Sequence, residues 1–319
     1  RYDDFHHCGR NDEDRIEDYQ DLYEVQNCQL GTLDDIDTSK PEVQARIAAY
    51  LNDLLSLGVA GFRIDAAKHM AHDDLHAILQ QVDGSPFIYQ EVIDRGGEAV
   101  SAADYLRDGY VTEFKYAAMI LDAFERGKLD ALTGFWTGDG WLPGDQAIVF
   151  VDNHDIQRGH AFGDEVVNYK DGRRYDLAVA FMLAHPYGYP LVMSSYAFET
   201  DQDGPPDVSP LDAEGCDSAW ICEHRRAVQE RMVEFRAATA GTGVVAVAAP
   251  VFGDEAAPQG AICLTRDEND VGPEAGLPAG TEVPIGSNAE AFTREPYYLQ
   301  AKLKVITFAP SGDWREDNC

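Results

Sequence analysis

Pro41-Glu-Val-Gln-Ala-Arg-Ile-Ala-Ala-Tyr-Leu-Asn-Asp-Leu-Leu-Ser-Leu-Gly-Val-Ala-Gly-Phe-Arg-Ile-Asp65 sets a helix pattern directly before a strand pattern. Val43, Ile47, Leu51, Leu54 and Leu55 recur at helical spacing over 42–57. Pro41 suits the first turn of that helix and Gly58 its end. The run 59–64 then reads as a buried strand that stops at Asp65. Outward from here the alternation continues. Strands are predicted at 87–92, 111–114, 147–151 and 191–194, and helices at 66–81, 117–131, 174–184 and 223–238. Strands alternating with helices of about ten or more residues predict a parallel sheet with helical crossovers. Part of a (β/α) barrel and an open doubly wound sheet both fit this pattern. Residues 1–40 read as polar and loop-like. After about residue 238 Ala, Gly and Pro dominate, and 244–251 and 303–308 are strand candidates. That region reads either as a small β-rich appendage or as a poorly ordered tail.

Charge is the main signal in the composition. The chain has 57 Asp and Glu against 25 Lys and Arg, a formal net charge of −32. Such a surface repels phosphate backbones and anionic membranes, which argues against nucleic-acid binding. Dense acidity reads as solvation in salt, with self-repulsion weakening the compact state; a specific cation or substrate role is the other reading. No run of about 18 apolar residues occurs, so no membrane span is expected. The 6 Cys form no CxxC pair, so a zinc ribbon is not indicated. Their even number fits an oxidising compartment; buried free thiols are the other reading. The chain opens at Arg1 without Met or a leader pattern, so a removed leader or a fragment is expected.

Carboxylates close the predicted strands at Asp65, Glu91 and Asp155. In a parallel barrel successive strand ends meet around one mouth, where catalysis occurs. Acids gathered there suit glycosidic cleavage: one attacks the anomeric carbon, and another protonates the leaving oxygen and then activates water. A third can bind substrate. Arg63 lies two residues before Asp65, on the same strand face, placed to keep that carboxylate ionised. Lys68 and His69 follow near the same mouth, and His154 beside Asp155 can bond a sugar hydroxyl. Singly, each acid reads as readily as a helix cap or a solvated turn. Their ordered recurrence after apolar runs is the signal.

At this point the residues resemble a known family. Gly61-Phe-Arg-Ile-Asp-Ala-Ala-Lys-His69, Tyr89-Gln-Glu-Val92 and Phe150-Val-Asp-Asn-His-Asp155 are similar to three motifs of the α-amylase family, glycoside hydrolase family 13. They are nearest its animal-type branch, which also occurs in bacteria. Val111-Thr-Glu-Phe-Lys-Tyr116, Phe181-Met-Leu-Ala-His-Pro-Tyr-Gly188, Val192-Met-Ser-Ser-Tyr196 and Trp220-Ile-Cys-Glu-His-Arg225 extend the resemblance over about residues 8–236. The resemblance implies a (β/α)8 TIM barrel, here strands four to eight. It implies residues 1–40 as the rest of a calcium-binding domain protruding after strand three, 41–238 as the later part of the catalytic barrel, and 239–319 as an appendage of uncertain kind. The family's first three barrel strands have no counterpart before Arg1, so an N-terminally truncated fragment is expected.

The implied activity is endo-hydrolysis of α-1,4-glucosidic bonds in starch and glycogen, with retention. Asp65 takes the position of the nucleophile, Glu91 of the acid/base and Asp155 of the stabilising acid. Arg63, Lys68, His69, Ile93, Glu98, His154, His160 and Tyr19 take substrate-cleft positions. Calcium is implied through Asp35 and the backbone carbonyls of His69 and Gln26, oxygen donors that suit this cation. Chloride is implied through Arg63 and Asn153, but Leu191 stands where a second Arg is expected, which weakens anion binding. The resemblance pairs Cys8 with Cys28 and Cys216 with Cys222; Cys263 and Cys319 have no counterpart. It further implies a secreted, extracellular monomer whose partner is an α-glucan polysaccharide. A transglycosylase acting on α-glucans and a non-catalytic carbohydrate-binding fragment are the alternatives.

Overall fold

The computed structural model describes residues 2–208, 216, 219–241 and 243, and beyond them only the strand segments given below. The chain divides into two compact units, residues 1–115 with 140–148 and residues 116–139 with 149–319.

The first unit opens with α1 (Leu22–Asn27), capped by Asp21, whose carboxylate accepts from the Tyr23 and Glu24 amides. α2 (Pro41–Ser56) has Pro at its start and leads to β1 (Gly61–Ile64). α3 (His72–Leu79), β2 (Phe87–Gln90) and β3 (Tyr110–Thr112) follow. Ala48 and Leu51 of α2 pack with Ile78 of α3, and Phe62 of β1 lies against them. Burial of Leu51 and of Ile78 contributes about 1.5–3 kcal/mol each relative to exposure. α4 (Phe114–Phe124) precedes β4 (Ala147–Phe150), whose residues are all buried.

Neighbouring strands run parallel. Gly61 pairs with Phe87, Tyr89 with Tyr110, and Val111 with Ala147. A Cβ on Gly61 would lie 2.4 Å from the Phe87 carbonyl oxygen, and one on Gly109 2.5 Å from that of Ile88. Bare backbone is therefore needed where these strands begin.

α5 (Arg173–Ala184) links β4 to β5 (Tyr189–Leu191), and α6 (Ala227–Ala238) packs on α5. The second half of α5 is buried from Ala178 to Ala184, as befits a helix with apolar residues around most of its circumference. The strand order is β1-β2-β3-β4-β5, the same as the chain order. A doubly wound sheet reverses its order at a switch point, whereas a barrel adds each strand beside the last. The order is that of a barrel arc.

The remaining segments are β6 (Val244–Ala248), β7 (Val251–Phe252), β8 (Gln259–Gly260), β9 (Ile262–Arg266), β10 (Val283–Pro284), β11 (Gln300–Lys302) and β12 (Val305–Phe308). They form an antiparallel sheet of order β10-β11-β12-β9-β6 and a separate β7-β8 pair. The strand expected at 244–251 is thus two, and β9 had no sequence counterpart. The Cys263 side chain and Cys319 lie outside the described residues.

Several expectations are corrected. Residues 1–40 are not all loop, because α1 and a 3-10 turn at Tyr2–Asp4 form there. The single helix expected at 66–81 is broken: Ala66 is left-handed at φ 47°, a 3-10 turn spans Ala67–His69, and Met70 and Ala71 are extended before α3. The helix expected at 223–238 is likewise a 3-10 turn, Glu223–Arg225, then an extended Arg226, then α6. The helix expected at 117–131 starts three residues earlier and stops at Phe124. The strand expected at 191–194 is Tyr189–Leu191. Among the described residues no helix is long and apolar enough to cross a membrane.

Candidate active site

Arg63 organises the first cluster, on the first unit. It leaves β1 on the same face as Asp65, two residues on, and its Nη1 binds the Asp65 carboxylate. Its Nη2 reaches Glu91 Oε1, just past the end of β2, at 2.9 Å. Burial pulls the Arg63 pKa down, but the Glu91 and Asp65 charges outweigh it and hold the guanidinium above its ordinary value. The two acids differ in exposure: the Asp65 side chain is 69% exposed and that of Glu91 7%.

The backbone between them is strained. Ala66, without glycine's freedom, takes φ 47°, and its amide donates to Glu91 Oε2 at 3.0 Å. Glu91 is thus held by the Arg63 ion pair on one side of the turn that presents Asp65 and by the Ala66 amide on the other. Beyond Glu91, the Val92 amide donates to Thr112 Oγ1 at 2.9 Å, which fixes the exit of β2 to β3. Neither Ala66 nor Thr112 carried a sequence signal for this role.

Lys68, His69, Ile93, Glu98 and Tyr19 form a second group on the same unit. The Lys68 ammonium binds the Glu98 carboxylate and donates to the Ile93 carbonyl at 2.8 Å. It also sits 5.0 Å from the Tyr19 ring centre. With its side chain 5% exposed, Lys68 ties the loop after β2 to the turn after β1. The Tyr19 ring stands edge-on to His69, and burial, with the Glu98 charge, raises the Tyr19 pKa. Burial lowers the His69 pKa, and the Lys68 charge adds to this. A bond to the Val25 carbonyl and the nearby Asp35 and Glu98 carboxylates oppose it.

These neighbours bear on calcium. α1, which carries Gln26, packs on the turn Ala67–His69, and Asp35 is near enough to act electrostatically on His69. Asp35 also accepts from His6 Nδ1 at 2.6 Å, and burial notwithstanding, this bond and the Asp37 charge raise the His6 pKa. Asp35 and the carbonyls of Gln26 and His69 are oxygen donors of the kind a hard cation takes, but they supply at most half of its six to eight ligands. Among the described residues no group of three or more His, Cys, Asp or Glu side chains is arranged to hold a metal.

The second unit carries Asn153, His154, Asp155 and His160. Asn153 Oδ1 accepts from the Asp155 amide at 3.1 Å and the Ile156 amide at 2.8 Å, closing a tight turn after β4. His154 and Asp155 have side chains 54% and 35% exposed and stand 3.5 Å apart. The exposed His160 donates its amide to the Asp155 carbonyl. Arg158 donates to the carbonyls of His154 and Asp201 and to the Tyr196 hydroxyl, bracing the turn from outside. A cavity of about 290 Å³ opens beside it, lined in part by His154, Arg158, Tyr196 and Asp203. Below the turn lie Asp152, Gln157, Ser195, Tyr175 and Glu223, all buried and hydrogen-bonded to one another. Sequence reading singled out none of these for a role. Cys8 is bonded to Cys28 and Cys216 to Cys222.

No family model matches the chain. It is 44% identical to human alpha-amylase 1B over 251 residues, 69% of this chain and 49% of that protein. It is 46% identical to the alpha-amylase of Thermomonospora curvata over 253 residues, 76% of this chain and 40% of that one. The chain thus spans about half the length of the curated relatives it matches. Among solved structures, alpha-amylase I of Eisenia fetida superposes with a TM-score of 0.72 at 36% identity, over 83% of this chain and 58% of that one. A variant of that enzyme in complex with maltohexaose superposes with a TM-score of 0.76 at 32% identity, over 97% of this chain and 71% of that one.

Proposed function

The chain belongs to the α-amylase family, and from that premise we propose that it serves endo-hydrolysis of α-1,4-glucosidic bonds in starch-like glucans, with retention at the anomeric carbon. The observation that carries the reading is the Arg63 bridge between Asp65 and Glu91. Carboxylates held on the two Nη atoms of one guanidinium share one mouth, as double displacement by a nucleophile and an acid/base requires. Retaining glycosidases hold their acids about 5–5.5 Å apart, and inverting ones about 6.5–9.5 Å, to leave room for water.

In this mechanism exposed Asp65 attacks the anomeric carbon while Glu91 gives its proton to the leaving oxygen. Glu91 then takes a proton from water, which releases the sugar from Asp65. Asp155 and His154, both solvent-accessible, bond sugar hydroxyls, and Asp155 stabilises positive charge at the ring. His160, Ile93, Glu98 and Tyr19 belong to the cleft. Lys68 and His69 join it through the loop that they anchor.

Calcium, bound through Asp35 and the His69 and Gln26 carbonyls, would hold the N-terminal segment against the turn after Asp65. Chloride is expected to bind weakly, since Arg63 already faces two carboxylates and Leu191 brings no second guanidinium. The disulfides support an extracellular setting.

The test is incubation of the chain, with calcium, on soluble starch and on maltose, following reducing ends and iodine colour. Rapid colour loss on starch with little action on maltose is expected. Glu91→Gln should lower turnover by about 10²–10⁴-fold. Starch binding with no cleavage would favour the carbohydrate-binding reading instead.

A further inference from the structure

A string of buried polar side chains runs beneath the turn that carries Asp155. Its far end is Glu223, 0% exposed. Glu223 Oε2 accepts from the Ser195 amide at 2.8 Å, and its Oε1 accepts from the Ser195 hydroxyl. Ser195 Oγ in turn accepts from Gln157 Nε2 at 2.8 Å. The same amide nitrogen donates to Asp152 Oδ2 at 2.5 Å. Asp152 and Gln157 flank the turn Asn153-His154-Asp155 on either side. Tyr175 completes the string by donating to Asp152 Oδ1 at 3.1 Å.

The direction of these bonds is fixed. An amide NH2 has two hydrogens, and here one goes to each neighbour. The Ser195 hydroxyl accepts from Gln157 and gives its own hydrogen to Glu223. Both Glu223 oxygens accept from Ser195. Burying a carboxylate for stability alone is poor economy, because well-packed apolar residues usually do as well or better. A fully satisfied buried network instead fixes one arrangement.

The placement of Glu223 is itself enforced. Cys222, just before it, is held at φ 51°, a left-handed conformation unusual for a residue with a side chain, and is bonded to Cys216. The Ile221 amide donates to the Ser195 carbonyl at 2.8 Å, so the two segments are paired where the string begins.

We propose that Glu223 is a positioning residue for Asp155, acting through Ser195 and Gln157 to hold the Asp152–Gln157 turn in a single geometry. The catalytic meaning of that turn rests on the function proposed above; the mechanical claim does not. The motif Trp220-Ile-Cys-Glu-His-Arg225 thereby acquires a task at the site.

Two variants of the full chain test this. Glu223→Gln keeps the volume but puts an NH2 where one of the two donors arrives, and Ser195→Ala removes the link between Glu223 and Gln157. Hydrogen exchange is read over the peptide 152–160. There the Asp155 and Ile156 amides donate to Asn153 Oδ1, that of Gln157 to the Asn153 carbonyl and that of Arg158 to the Asp155 carbonyl. Exchange of these amides should be about tenfold faster in either variant, with α5 and α6 unchanged. On starch, kcat should fall about tenfold with KM within about twofold, since Asp155 is needed most in the transition state. Wild-type exchange over 152–160 in both variants overturns the proposal, as does equal loosening of α5 and α6. If Glu223→Gln does not fold, Ser195→Ala decides alone. A wild-type chain that cleaves no starch counts against the proposed function, while the exchange result still decides the role of Glu223.

Discussion

Asp152 shows how one residue can couple the site to pH. Burial pushes its pKa up to about 7, with the Glu223 charge adding to this and the bonds from Gln157 and Tyr175 opposing it. The native state therefore binds a proton that the unfolded chain has already released between the ordinary carboxylate range and about pH 7. Stability falls with rising pH wherever the native state binds more protons. The contribution of Asp152 is full below about pH 4, is lost as pH rises through about 7, and is flat above that. Asp152→Asn should remove this slope. The wild-type minus variant difference in melting temperature, measured from pH 4 to 8, should shrink as pH rises; a constant difference would contradict the assignment. At this scale the sequence exposed the residues at strand ends, Asp65, Glu91 and Asp155, because an apolar run ending on an acid is a local pattern. Glu223 was hidden because its links are remote, and Asp152 because it joins them through its neighbour Gln157: Gln157 meets a serine 38 positions away, and that serine meets Glu223 28 positions away. No periodicity records such pairings.

The junction of α5 and α6 carries the clearest consequence among the elements. α5 stops at His185, and its last carbonyls need donors. Arg236, on α6, supplies two of them and the chain just beyond: its guanidinium donates to the carbonyls of Met182 and Leu183 at 3.4 Å, to those of His185 and Gly188, each at 2.5 Å, and to that of Pro186 at 3.3 Å. Burial lowers the Arg236 pKa, and Tyr116 partly opposes this. Arg236→Met would keep the apolar stem but leave these carbonyls unpaired. We expect a loss of about 2–3 kcal/mol, read from the urea unfolding midpoint and slope; a loss below about 0.5 kcal/mol would show that water replaces the guanidinium. The elements themselves were largely legible. Apolar spacing located α2, β1, β2, β4 and α5 to within a few residues, since each presents a continuous face to a core. The breaks were not legible. Nothing about Ala66 announces a left-handed backbone, which follows from Glu91 accepting its amide, a contact 25 positions away. α1 is short and held by the Asp21 cap, so it lacks a periodic stripe.

For the whole molecule, the parallel strands in chain order and the net charge of −32 point the same way. A barrel arc brings strand ends toward one mouth. A strongly acidic surface repels phosphate-bearing partners but leaves a neutral polyol unaffected. The open choice between barrel and doubly wound sheet was beyond periodicity, because both alternate strands and helices; only the pairing order separates them. In the proposed mechanism Asp65 and Glu91, bridged by Arg63, cleave α-glucosidic bonds by double displacement. Its most direct measurement is proton NMR of the anomeric signals in the first minutes of hydrolysis of a linear maltooligosaccharide by this chain. With double displacement the new reducing ends appear first as the α-anomer and only later drift toward the β form by mutarotation. First appearance of the β-anomer, or no new reducing ends at all, would contradict it.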